Sequence, residues 1–237
     1  MEQFEFDAPL SVALAASASY VILVYCLQGI MLVPVKLPRV SFVHDMILCV
    51  GSAVCFLAIA RELWSLGALL GFEALWCDSG RVLPHRGPLA FWYYAFYLSK
   101  MYEFLDTALL ILAKKRVIFL HVYHHCTTVF VVWLSVAGRV PVAWVSICSN
   151  LLVHVVMYWY YAMAAIGVRS AWKRYITVLQ IAQFVVDVAS VAAVAISNAT
   201  HEAQCSGEAW GYSIPSAIIV SFLALFVEFY RSAYKTE

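Results

Sequence analysis

A chain of 237 residues that is 64% hydrophobic and 12% charged lies well above the ~45–50% apolar content of soluble domains. Its mean hydropathy is +0.84. A net charge of +1 offers no electrostatic footprint for nucleic acid, and no low-complexity tract, long linker or short repeat breaks the pattern. Residues 1–237 therefore read as a single all-α, multi-pass membrane domain set in a lipid bilayer.

In chain order, stretches apolar and long enough to cross a bilayer fall at about 10–33, 44–71, 89–113, 117–137, 141–166, 175–197 and 210–230, seven spans in all. The first follows acidic Glu2, Glu5 and Asp7, and its apolar run is too long for a signal peptide. Arg61 and Glu62 suggest that the second ends near Ala60. The third contains SKMYEFLDT, the fourth FLHVYHHCTT, the fifth NLLVHVVMYWYY and the sixth TVLQIAQFVVD. The seventh holds no lysine, which argues against a retinal Schiff-base protein.

Loop charge sets the orientation. Loops after spans 1, 3 and 5 and the tail carry ten cations: Lys36, Arg39, Lys114, Lys115, Arg116, Arg169, Lys173, Arg174, Arg231 and Lys235. The opposite side carries Arg81, Arg86 and Arg139. The positive-inside rule then places the N-terminus on the lumenal side and the C-terminus in the cytosol. Of seven cysteines, Cys26, Cys49, Cys55, Cys126 and Cys148 fall within spans and read as small apolar fillers. Cys77 and Cys205 fall in loops on the lumenal side. An oxidising compartment would let them pair, and the sequence leaves that pairing open.

Ionisable groups within a span are costly and face a cavity or a partner. Lys100, Glu103 and Asp106/Thr107 recur at helical spacing, as do His121, His124 and His125; Asn150, His154, Tyr158 and Tyr161; and Gln180, Gln183 and Asp187. Four successive spans thus each offer one polar stripe. At ~1.5 Å of rise per residue from the basic flanks, Asp106 and His124 lie roughly 12 Å deep, Gln180 about 9 Å, and His154 and Lys100 about 20 Å. The stripes converge in the cytosolic half, with apolar helix beyond. That arrangement suits an amphipathic substrate with a long tail.

Simpler readings accompany each group. A buried Gln or Asn is usually helix–helix glue. Tyr158 and Tyr161 serve equally as packing aromatics. Lys100 and Glu103 make a self-neutralising i, i+3 pair, and Asp187 satisfies a neighbouring helix. His44, His85 and His201 lie at predicted ends or loops and read as solvated. Three imidazoles in HVYHH are too costly to be structural alone. Metal ligation is one use, but di-iron membrane oxidases need several histidine boxes and this chain has one. A single zinc stays as an alternative. The other use is nucleophilic: a neutral imidazole attacks thioesters, a neighbouring imidazole or carboxylate fixes its tautomer, and no serine-nucleophile motif competes. A receptor or transporter is a third class, although no inverted repeat supports the latter.

Taken together, KMYEFLDT, FLHVYHH, NLLVHVVMYWYY and TVLQIAQF resemble the KxxExxDT, HxxHH, NxxxHxxMYxYY and TxxQxxQF signatures of the ELO family of very-long-chain fatty acid elongases. Four motifs in order, from Lys100 to Phe184, make the resemblance specific. It implies a 3-ketoacyl-CoA synthase that condenses acyl-CoA with malonyl-CoA and uses no metal or other cofactor. It also implies an endoplasmic-reticulum membrane location. Six of seven helices would enclose a tunnel open to the cytosol and closed toward the lumen. Homodimers are implied, as is association with the ketoacyl reductase, dehydratase and enoyl reductase of the cycle. By similarity His124 is the nucleophile, His121 and His125 orient it and relay protons, and His154 positions a substrate. Glu103 and Asp106 would orient imidazoles. Lys100, Asn150, Gln180 and Gln183 would bind carbonyl or carboxylate oxygens, with Tyr158 and Tyr161 supporting them.

Overall fold

A computed structural model describes residues 4–80, 83, 86–168, 171–200 and 204–234. Arg81, His85, Arg169, His201 and Lys235 lie outside the described residues. Eight α-helices form among those described: α1 Leu10–Ile30, α2 Pro38–Leu70, α3 Pro88–Tyr102, α4 Phe104–Leu112, α5 Phe119–Ala137, α6 Ala143–Ala165, α7 Lys173–Ala199 and α8 Ala209–Tyr234. A short 3-10 turn spans Phe72–Leu75. Six helices (α1, α2, α5, α6, α7 and α8) are long and apolar enough to cross a membrane.

Local chemistry explains several boundaries. Pro38 and Pro88 occupy the first turns of α2 and α3, where a missing N–H costs nothing. α2 stops at Gly71, whose φ of 91° is one that only glycine takes without strain. The α2 helix is longer than the sequence suggests. It runs past Ala60, with Arg61 and Glu62 bonded to each other at 2.6 Å within it.

The third span divides into two adjoining helices at Glu103, whose own backbone stays in the right-handed helical region (φ −62°, ψ −14°). α3 and α4 are separate helices flanking Glu103, and the Glu103 N–H bonds to the Ser99 carbonyl at 2.9 Å. Lys100 lies in the last turn of α3 and Asp106 and Thr107 in the first turn of α4, and Glu103 and Asp106 still line one cavity.

Helix contacts close a ring in the order α2–α6–α7–α8–α5–α3, while α1 packs outside against α5 and α4. One end of the ring is stapled. Cys77 and Cys205 are joined by a disulfide, with Cα atoms 4.4 Å apart. The Ser206 N–H donates to the Cys77 carbonyl at 2.9 Å and the Glu208 N–H to the Gly138 carbonyl at 2.8 Å. The Trp144 indole donates to the Leu75 carbonyl at 2.8 Å. Gly138 and Gly211 touch here: a Cβ on Gly211 would lie 2.9 Å from the Gly138 Cα, so a side chain would force α5 and α8 apart.

Candidate active site

The opposite half of the ring encloses a cavity of about 760 Å³. His121, His124, His125 and His154 line it, with Glu103, Asp106, Asn150, Tyr158, Tyr161, Gln180 and Gln183. Lys36, Lys115, Arg116 and Lys173 line the same cavity. These cations come from helix ends and loops, so one end of the cavity is basic and the histidines lie within.

Four neighbours hold α5 in register. The Ser17 hydroxyl on α1 donates to the Cys126 carbonyl at 2.9 Å. Thr107 on α4 bonds His121 Nε2 at 2.8 Å, and the Tyr20 hydroxyl completes that chain at 2.9 Å from Thr107. Tyr123 meets Ser221 on α8 at 2.8 Å. These contacts turn the HVYHH face toward the cavity. The His121 and His125 rings lie 4.4 Å apart, and those of His124 and His125 5.5 Å. His124 sits against an aromatic wall, 4.8 Å from Phe222, 5.9 Å from Phe226 and 6.3 Å from Phe184. A smaller space of about 50 Å³ continues past His124 between Phe96, Val132, Ile147 and Phe222.

Two polar rungs face the histidines from α3/α4 and α6. In the deeper rung, Lys100 Nζ donates to Glu103 and to Asn150 Oδ1, both at 2.7 Å, and lies 4.3 Å from the Phe96 ring centroid. His154 Nδ1 is 3.4 Å from the same Glu103 oxygen. In the shallower rung, Asp106 Oδ1 meets His44 Nε2 at 2.5 Å, and Asp106 Oδ2 accepts from the Tyr158 hydroxyl at 2.7 Å. Tyr158 stands one turn from His154 on α6, with ring centroids 5.2 Å apart. Tyr161 is peripheral and half-exposed. Gln180 donates to the Met157 sulfur at 3.4 Å. Gln183 contacts Asp187 at 3.5 Å, and Asp187 also accepts from Ser149 on α6 at 3.0 Å.

One reading is corrected. His44 is not a solvated histidine at a helix end: it is buried and bonded across 62 residues to Asp106. The helical phase of α2 carried a signal. His44, Leu48, Ser52, Cys55, Ile59 and Leu63 are all buried and step by three or four, so His44 opens the inward stripe. Tyr20 was likewise missed. It lies on the buried α1 stripe Ala13, Ser17, Tyr20, Val24. As for metal, the ligand atoms of His44, Asp45 and Asp106 lie within 4.8 Å of one another. Among the described residues the HVYHH histidines do not form part of that group.

A multi-pass helical membrane protein is thus defined by a ring of helices around a histidine-lined cavity with cations at one end. Residues 6–237 match the GNS1/SUR4 (ELO) family, and the chain belongs to that family. Fatty acid elongase A of Dictyostelium discoideum is 37% identical over 232 residues, covering 94% of this chain and 83% of that protein. Putative fatty acid elongase 2 of Schizosaccharomyces pombe is 33% identical over 210 residues, 85% of this chain and 57% of the relative. Human very long chain fatty acid elongase 4 is 35% identical over 198 residues, 78% of this chain and 60% of the relative.

Proposed function

We propose that this chain is a fatty acid elongase, a 3-ketoacyl-CoA synthase that condenses a long-chain acyl-CoA with malonyl-CoA. The observation that carries the reading is one cavity lined by four histidines and by Lys36, Lys115, Arg116 and Lys173. Cations at the mouth suit CoA phosphates, and imidazoles inside suit thioester chemistry. The six-helix ring is then a tunnel, open to the cytosol and closed at the stapled, lumenal end. The protein works in the endoplasmic-reticulum membrane as a homodimer, beside the ketoacyl reductase, dehydratase and enoyl reductase that complete the cycle.

The chemistry runs in two halves. The lone pair of a His124 ring nitrogen attacks the acyl-CoA carbonyl, the C–S bond breaks, and the ring's N–H proton passes to the thiolate. Acyl-imidazole and CoA result. Malonyl-CoA then loses CO2, and the released electron pair attacks the acyl carbon as the C–N bond breaks. The imidazolate left behind takes up one proton from outside the reactants. His121 and His125 orient His124, with Thr107 fixing the His121 ring. His154, held by Glu103, positions the malonyl thioester, and Lys100 and Asn150 set that pair.

Incubating the purified protein with acyl-CoA alone tests this directly. Release of CoA with an acyl mass gain mapping to His124 is the expected result. Condensation only after malonyl-CoA is added, with no adduct, would replace the two-step route by a sequential one with a histidine as base. No condensation across chain lengths would end the elongase reading.

A further inference from the structure

The condensation half consumes one proton per turnover, and the deeper rung is poorly placed to supply it. Lys100 is buried and its Nζ is committed to Glu103 and Asn150, while Glu103 is held by Lys100 and His154. Both carboxylates line the cavity, but Asp106 keeps 15% of its side chain exposed against 3% for Glu103, and both of its oxygens are engaged by groups that can exchange protons. We infer that His44, Asp106 and Tyr158 form the proton-input relay of the condensation, passing a proton from the basic mouth to the histidines. The inference rests on the elongase reading and assigns a role to a helix, α2, that none of the four sequence motifs includes.

The geometry gives the path. Its hydrogen-bonded part runs from His44 Nε2 to Asp106 at 2.5 Å and from Asp106 to the Tyr158 hydroxyl at 2.7 Å; beyond it, Asp106 and Tyr158 line the same cavity as His154 and His124, and the Tyr158 and His154 rings meet by packing at 5.2 Å. A histidine placed only to anchor a helix would have both nitrogens satisfied, since buried polar atoms normally are. His44 leaves Nδ1 buried without a hydrogen-bond partner among the described residues. No second hydrogen bond therefore locks His44 in one tautomer. Titratable neighbours come from every packed element. Asp45 on α2 lines the cavity next to Lys115, the Tyr102 ring of α3 lies 5.1 Å from His44, Glu103 lies at the α3–α4 break, and Tyr158 and His154 come from α6. His44 is a positioning and relay residue, not one that touches substrate.

The test separates the two halves in purified wild type, His44→Gln and Tyr158→Phe. CoA release from acyl-CoA alone reports the first half, and CO2 release from labelled malonyl-CoA the second. The expected result is that condensation falls about 100-fold in His44→Gln, the scale of a lost acid–base group, with KM for malonyl-CoA little changed. CoA release should fall far less. At fixed pH, raising the concentration of imidazolium buffer should speed the variant and leave wild type unmoved, because an external acid replaces the relay. That buffer dependence is readable whether or not acyl-enzyme accumulates. Equal losses in both halves, or no buffer dependence, would make His44 a structural anchor and overturn the relay. So would wild-type condensation that is lost to a chelator and restored by a divalent cation, which would give His44, Asp45 and Asp106 to a metal. Tyr158→Phe keeps the ring packing and should show the same buffer dependence if His44→Gln fails to fold. Wild type that does not condense would fail the elongase reading itself, a separate outcome.

Discussion

Glu103 and Asp106 lie three residues apart on adjoining helices and meet α6 side chains one turn apart, yet they are treated in opposite ways. Glu103 faces a cation and an imidazole in a site closed to water, its side chain 3% exposed. Among the described residues no lysine or arginine bonds Asp106, which keeps 15% of its side chain exposed at the cavity wall and is held by an imidazole and a phenol. The first arrangement neutralises charge permanently and fixes His154. The second keeps a carboxylate where protons can come and go. The chain has placed a structural and a chemical carboxylate within one turn, distinguished by partners rather than by residue type.

The sharpest way to break this comparison is Lys100→Met. It strands Glu103 without its cation in a dry site, and removing one member of a buried pair typically costs about 3–5 kcal/mol. Thermal unfolding in detergent should show the largest drop of any single change discussed here. Adding Glu103→Gln should recover much of the loss, because the uncompensated charge then disappears. If Lys100→Met unfolds like wild type, Glu103 is not held as a charge and the contrast with Asp106 collapses.

Asp106→Asn should behave differently. The amide oxygen still accepts from Tyr158, so the stability cost is about 1 kcal/mol, the scale of one ordinary hydrogen bond. Condensation should fall far more than that figure suggests, because an amide cannot carry a proton. A variant that loses stability and activity in proportion would place Asp106 with Glu103 as a structural group. Thr107→Val is milder still. It removes the link between Tyr20 and His121 at about 1 kcal/mol, with the acylation rate falling because the His121 ring is no longer fixed. Unchanged CoA release from acyl-CoA would show that HVYHH needs no support from α4.

Much of this was legible because intramembrane polarity is expensive. The stripes in SKMYEFLDT, HVYHH, NLLVHVVMYWYY and TVLQIAQFVVD pointed to one chamber, and all four helical segments do line one cavity. Pairings across long sequence distances were not legible. His44 looked like a helix end because Lys36 and Arg39 precede it, and only its meeting with Asp106 makes it a buried group. The break at Glu103 was hidden for a different reason. KMYEFLDT contains neither Gly nor Pro, so local propensity predicts a continuous helix. Within the site, spacing put Gln180 beside Gln183, but the structure sends one to a methionine sulfur and the other to Asp187. Helical phase locates a face; it does not choose the partner.

The smallest expected effect belongs to the pair that misled the boundary of the second span. Arg61 lies 23 residues past Pro38, the start of α2, which is ~35 Å along the axis at ~1.5 Å per residue, already beyond a hydrocarbon core of ~30 Å. The Arg61 side chain is 78% exposed although it bonds Glu62 at 2.6 Å. Such pairs contribute ~0–1 kcal/mol, so Arg61→Ala should shift the unfolding temperature little and leave elongation intact. A large loss would mean that Arg61 sits within the hydrocarbon and that α2 is seated deeper than its basic flank implies. In that case the depth of the whole polar chamber, Asp106 included, would shift with it.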